Sequence, residues 1–214
     1  MKKIVILLTG LLLTQPIWAQ ETFYSGSVNV GENFGADWES ANMQFQGTME
    51  NAPPVHSIKL RASNFNLTGE YGLFDFLGVG LIGRIDNYYV SEDEYIKTVP
   101  SAADEQAGAV VNIHFISQRH LDLLAGIDAG FSQLDYALND YDIRTLISGY
   151  GTWGDIHATG RWYFGQVGIN LSLYGATSNY DNLHSDKTPA GEYLVSSFKT
   201  MACGIGFGLQ YRIL

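Results

Sequence analysis

The chain has 214 residues, with 12 Lys and Arg against 22 Asp and Glu, a formal charge of −10, and one cysteine, Cys203. This balance excludes the basic face that nucleic-acid binding requires, and a single cysteine excludes an intrachain disulfide. Past the first residues no continuous apolar run approaches the ~20 residues of a membrane-spanning helix, so any insertion into lipid must use a closed β-barrel, the other way of satisfying the whole backbone there.

Residues 1–19 read as a secretory signal peptide: Met1-Lys2-Lys3, an apolar run from Ile4 to Leu13, and the small residue Ala19 before the expected cleavage point. Residues 20–214 then form one domain, and without Lys2 and Lys3 its formal charge is −12. No cysteine follows the signal directly, which argues against a lipid anchor.

From there the chain alternates with period 2, the mark of strands with two unlike faces. The first strand is expected at 22–31, with Tyr24, Val28 and Val30 opposite Ser25, Ser27 and Asn29. A long polar connection is expected at 32–57, carrying Asp37, Glu39, Glu50 and Pro53-Pro54, which cannot join a central ladder. The second strand ends at 64–73, with Phe65, Leu67, Tyr71 and Leu73 outward and Asn64, Asn66, Thr68 and Glu70 inward. Upstream, Ile58, Leu60 and Ala62 stand in the opposite phase. That calls for a bulge near Ser63 or a strand end rising above a membrane. The third strand, 78–90, turns Arg84, Asp86 and Tyr88 inward, and an acidic loop follows at 91–103. The fourth, 105–116, turns in Gln106, Asn112 and His114. The fifth starts at Leu121 and turns in Asp122 and Asp128, and a polar loop is expected at 139–154. The sixth, 155–164, turns in His157, Thr159, Arg161 and Tyr163. The seventh, 167–180, turns in Asn170, Ser172 and Tyr174, and a loop follows at 181–195. In the last strand, 201–213, Met201, Cys203, Ile205, Phe207, Leu209, Tyr211 and Ile213 alternate with Ala202, Gly204, Gly206, Gly208, Gln210 and Arg212.

Alternation alone fits both a soluble ligand-carrying barrel, apolar inside, and a membrane barrel, polar inside. Three features favour the membrane. The glycines favour one phase, as a crowded interior needs. The mid-strand charges share that phase. The connections run long, short, long, short, with short turns near 74–77, 117–120 and 165–166. The expected fold is an all-β, eight-stranded antiparallel up-and-down transmembrane β-barrel. Two aromatic belts are expected: Phe74, Phe76, Phe115, Trp162, Phe164 and Tyr211 near the turns, and Tyr89, Tyr136, Trp153, Tyr180 and Phe198 near the loops.

With the closing stretch G-I-G-F-G-L-Q-Y-R-I-L, residues 204–214, the chain resembles the small eight-stranded outer-membrane β-barrels of Gram-negative bacteria, the OmpA-like transmembrane type without a periplasmic domain. Its end departs from them: Leu214 stands where an aromatic residue is usual. The resemblance implies a place in the bacterial outer membrane with periplasmic termini. It also implies contact with outer-membrane lipid and lipopolysaccharide, and insertion by the barrel-assembly machinery.

The candidate functional set is the inward polar network Glu70, Arg84, Asp86, His114, Asp122, Asp128, His157, Arg161 and Arg212. In a narrow interior such charges should pair, either as a structural plug or as the gate of a small channel. His114 and His157 could form a metal pair, but a structural role is the preferred reading; no metal and no cofactor are expected. Gly204, Gly206 and Gly208 lie within a strand and are not a phosphate loop. No Ser–His–acid set is evident, and an enzyme is not expected. The loop acids Glu92, Asp93, Glu94, Asp140, Asp142, Asp181 and Asp186 form a solvated rim or meet cations, without EF-hand spacing. The expected role is structural or surface-interactive, for a monomer with a plugged lumen whose long loops can meet an extracellular ligand. The alternatives are a small gated cation-leaning pore and a lipid-modifying barrel enzyme.

Overall fold

A computed structural model describes residues 22–46, 55–90, 101–140, 143–181, 183–185 and 194–213. The expected signal peptide, Pro53-Pro54, the acids Glu92, Asp93, Glu94, Asp142 and Asp186, and Leu214 lie outside them. Eight long strands follow one another: β1 (Val28–Gln46), β2 (Val55–Phe74), β3 (Leu77–Val90), β4 (Ser101–Ser117), β5 (Leu121–Asp140), β6 (Ile143–Phe164), β7 (Val167–Asp181) and β8 (Leu194–Arg212). Each pairs antiparallel with the next, and β1 pairs with β8, which closes the ring. A two-residue pairing, His184–Ser185, lies against Ile147 and Ser148 of β6. This is the expected eight-stranded up-and-down barrel, and closure leaves the long strands no open edge.

The three short turns fall at Asp75-Phe76, 118–120 and Gly165-Gln166, where Gly165 takes a φ of 80° that other residues rarely adopt. At the opposite end, hereafter the far end, the expected long connections shrink. β1 runs on to Gln46, so Asp37 and Glu39 are strand residues. β4 begins at Ser101, and only 141–142 separate β5 from β6, which places Asp140 and Tyr150 in strands. Alternation in β1 continues past Gly31, so Asp37 and Glu39, expected in the connection, are inward strand residues, while Glu50 lies outside the described residues. Residues 22–27 are not strand; they fold into the turn-end mouth.

The strands are 14 to 22 residues long, whereas about 9–11 cross a bilayer. The excess stands beyond the far end, and there the barrel changes character without changing phase. In the turn-side half of β2, Leu67 and Tyr71 face out while Asn64 and Glu70 are buried. In the far half, Ser57, Lys59 and Arg61 face out while Ile58, Leu60 and Ala62 are buried. Pairing with β1 and β3 runs unbroken through Ser63, so no bulge is present there. The strand end rising above the membrane is the explanation that holds. Where lipid surrounds the wall the outward face is apolar, with Leu81 73 % and Phe131 78 % exposed. Where water surrounds it, the inward face becomes the apolar one.

That far-end interior holds a core of Met43, Ile58, Leu60, Tyr88, Leu134, Ile147, Tyr180 and Phe198. Trp153, Tyr180 and Phe198, expected in the outer aromatic belt, are buried inside instead. They share the inward phase, and in this half that phase is apolar. The side chain of Tyr136 is outside the described set. On the outer wall, Trp38 and Tyr89 flank Arg61 in register and mark the upper edge of the apolar band. Of the expected turn-side belt, Phe74, Phe76, Phe115, Trp162 and Phe164 are exposed and Tyr211 is half-buried.

Candidate functional site in the barrel interior

Period 2 directs every second side chain of each strand inward, so one face of each of the eight strands supplies the interior. All nine expected residues point there, and all are buried except His157, which is partly so. They divide between two networks and a contact at the mouth.

Near the turns, Glu70, His114, Asp122 and Arg161 form a closed ring. Arg161 Nη1 donates to Glu70 Oε2 at 2.7 Å and lies 3.4 Å from Asp122 Oδ2. His114 places Nε2 3.0 Å from Glu70 Oε1 and Nδ1 2.7 Å from Asp122 Oδ1, an imidazole held on both nitrogens by carboxylates. Asn112 Nδ2 donates to Glu70 Oε1 at 2.6 Å. Glu70 and Arg84, on hairpin-linked strands, are not partners; Glu70 pairs with Arg161 on β6, and Arg84 with Asp37 on β1 and Asp86 on its own strand. Below this ring, Phe23 is fully buried and stacks on His114, with ring centroids 3.4 Å apart and 9° between planes. Its backbone N–H donates to Ser117 Oγ at 2.9 Å, and Ser117 Oγ donates back to the Phe23 carbonyl at 2.8 Å. Arg212 lies at the same mouth, with its guanidinium 5.6 Å from the Tyr163 ring centroid and Nη2 donating to the Gly165 carbonyl at 3.3 Å.

Higher up, Arg84 sits among carboxylates: 2.7 Å to Asp37, 2.8 Å to Asp86 and 3.6 Å to Asp155. It also lies over Tyr174, whose hydroxyl donates to Asp37. Asn64 Nδ2 donates to Asp37 at 3.0 Å, and Gln106 Nε2 donates to both Asp86 and Asp104. Tyr180 donates to Asp104, which ties this network to the apolar core above. His157 faces Asp155 at 3.2 Å and Asp128 at 3.6 Å. His114 and His157 therefore have different carboxylate partners, are linked only indirectly through Glu70 and Asn112, and do not form a pair. A Cβ at Gly204 would collide with Asp37 and Tyr174, so this glycine of the last strand does make room inside a crowded interior.

Asp37, Glu39, Asp104 and Asp155 were not among the candidates, and all are buried inside. Asp37 and Glu39 alternate with Trp38 in a continuing period-2 run, a signal present in the sequence. Asp155 shares the phase of His157 two residues on. Asp104 falls between the expected loop, 91–103, and the expected strand, 105–116, whereas β4 begins at Ser101.

An interior of paired charges inside an apolar outer wall defines a membrane-spanning β-barrel, since only lipid makes a belt of exposed Leu, Ile and Phe favourable. No family model and no curated protein matches the sequence. Solved structures do match in fold. The crystal structure of the outer membrane protein OprG from Pseudomonas aeruginosa aligns with a TM-score of 0.60 at 10% identity, over 89% of this chain and 97% of that one. The solid-state NMR structure of outer membrane protein AlkL in DMPC bilayers aligns with a TM-score of 0.53 at 10% identity, over 94% and 95%. The fold is that of the small outer-membrane β-barrels.

Proposed function

We propose that the protein is a closed outer-membrane barrel with a structural and surface-interaction role, its termini and short turns periplasmic and its far end outside the cell. The observation supporting this is that the interior is filled at three heights: Phe23 and its neighbours at the turn end, the two charge networks in the middle, and the apolar core at the far end. A water-filled path would need all three to move. Among the described residues neither interior histidine bonds a serine: His114 is held by Glu70 and Asp122, and His157 by Asp155 and Asn112. This supports a non-catalytic reading. The partners of this reading are outer-membrane lipid and lipopolysaccharide around the wall, the barrel-assembly machinery during insertion, and an extracellular ligand at the far end. The closed ring of strands favours a monomer.

One observation favours a second reading, a gated cation-leaning pore: interior carboxylates outnumber interior arginines and histidines. Single-channel recording of the refolded protein in a planar bilayer separates the two, alongside Arg84→Ala and a form lacking residues 22–27. Silence from all three is the expected outcome. Stepwise cation-selective openings that grow when either obstruction is removed would establish the pore.

A further inference from the structure

We propose that Asp128, Asp155 and His157 form a site inside the barrel for one divalent transition-metal ion of the Zn²⁺ type. One oxygen of each carboxylate and one imidazole nitrogen lie within 4.8 Å of one another. His157 Nδ1 is 3.2 Å from Asp155 Oδ1 and 3.6 Å from Asp128 Oδ2. Two ligands bonded at 2.0–2.2 Å to a tetrahedral zinc stand about 3.4 Å apart, so both spacings suit a shared ion. As a direct hydrogen bond, 3.6 Å is too long.

Three further observations point to a cation here. Asp128 and Asp155 are directly opposite each other in the β5–β6 ladder, where like charges repel unless something bridges them. Asp128 is 5 % exposed, and its Oδ1 has no hydrogen-bond partner among the described residues. Around it Asp37, Asp86, Asp128 and Asp155 have, among the described residues, Arg84 and His157 as their ion-pair partners, and Arg84 reaches Asp155 no closer than 3.6 Å.

The imidazole is also oriented for ligation from behind. Asn112 Nδ2 donates to Glu70 Oε1. A carboxylate can only accept, so the amide oxygen of Asn112 must face His157, whose Nε2 lies 3.0 Å from it. Nε2 therefore carries a hydrogen, and Nδ1 faces the two aspartates; an ion bound there displaces the proton held between Nδ1 and Asp155 Oδ1 and takes the Nδ1 lone pair, the arrangement by which a second partner fixes a metal-bound histidine. Asn112 and His157 are the two register partners of Gly126, one on each side. A Cβ there would collide with both, so the contact across β5 depends on that glycine. One nitrogen with carboxylate oxygens suits zinc-like ions, whereas calcium and magnesium favour all-oxygen ligands. The competing way to relieve the aspartate pair is a proton shared between them.

The test is calorimetric titration of the full refolded barrel with ZnCl₂, with folding of every variant checked by heat-dependent gel mobility. One Zn²⁺ per barrel is expected, uncompeted by millimolar CaCl₂. Asp128→Asn and His157→Gln should each weaken binding at least tenfold, and Asn112→Ala, which touches no ligand atom, about 10–100-fold. His120→Gln/His184→Gln, outside the barrel interior, should bind as the parent does. No Zn²⁺ uptake by the parent, or uptake that survives His157→Gln and vanishes in the His120/His184 variant, overturns the site and leaves the shared proton. If Asp128→Asn does not fold, the Asn112→Ala result decides by itself.

Discussion

At the scale of single residues, Arg161 and Arg84 carry the greatest consequence. Each is buried among carboxylates that have few other cations near them. Removing one leaves uncompensated buried charge, a loss of about 3–5 kcal/mol when a partner is truncated. Arg161→Met should therefore lower the urea midpoint of the barrel in liposomes by that equivalent. Glu105→Gln, on an exposed position of β4, should stay within about 0.5 kcal/mol. If Arg161→Met matched Glu105→Gln, the ring of Glu70, His114, Asp122 and Arg161 would have no part in stability.

At the scale of the element, β2 carries both halves of the design on one strand. Leu67 faces outward in its turn-side half, and Leu60 faces inward in its far half. Their requirements are opposite although both are leucines. Leu67→Arg places a charge on the lipid face and should cost about 2–4 kcal/mol near mid-membrane. Leu60→Ala removes packing from the far-end core and should cost about 2–5 kcal/mol. Detergent should blunt the first penalty, because micelles deform around a charge, and leave the second unchanged. Unfolding both variants in liposomes and in micelles checks the pattern. Equal behaviour in the two media would mean that Leu67 does not meet lipid.

At the scale of the whole molecule, the placement in the bilayer is read by tryptophans. Trp38 and Trp162 are exposed near opposite edges of the apolar band, while Trp153 is inside. Single-tryptophan variants of the refolded barrel, in vesicles of brominated lipid, should show strong quenching of Trp38 and Trp162. Bromines near the headgroup should quench them more than bromines deep in the acyl chains, and Trp153 should be protected. Quenching of Trp153 in place of the other two would invert the barrel and revive a soluble carrier with an apolar interior.

Period 2 in the sequence determined the barrel, the strand count, the short turns and the inward phase of Glu70, Arg84, Asp86, His114, Asp122, Asp128, His157, Arg161 and Arg212. An unbroken alternation permits one way for each side chain to face. What the tertiary structure decided is which inward residues meet. Glu70 joins Arg161 on β6 rather than Arg84 on the adjacent strand, and Asn112 reaches His157 across Gly126. Those pairings depend on register and closure around the ring, which no single strand encodes. The reach of the strands was also hidden. Asp37 and Glu39 read as loop because acids usually mark water, yet both lie on the inward face of β1; just beyond them Ala41 and Met43 are buried while Ser40 and Asn42 face out, because a strand that leaves the membrane exchanges its polar and apolar faces while its phase runs on. Only the closed barrel shows which solvent each half of the wall meets.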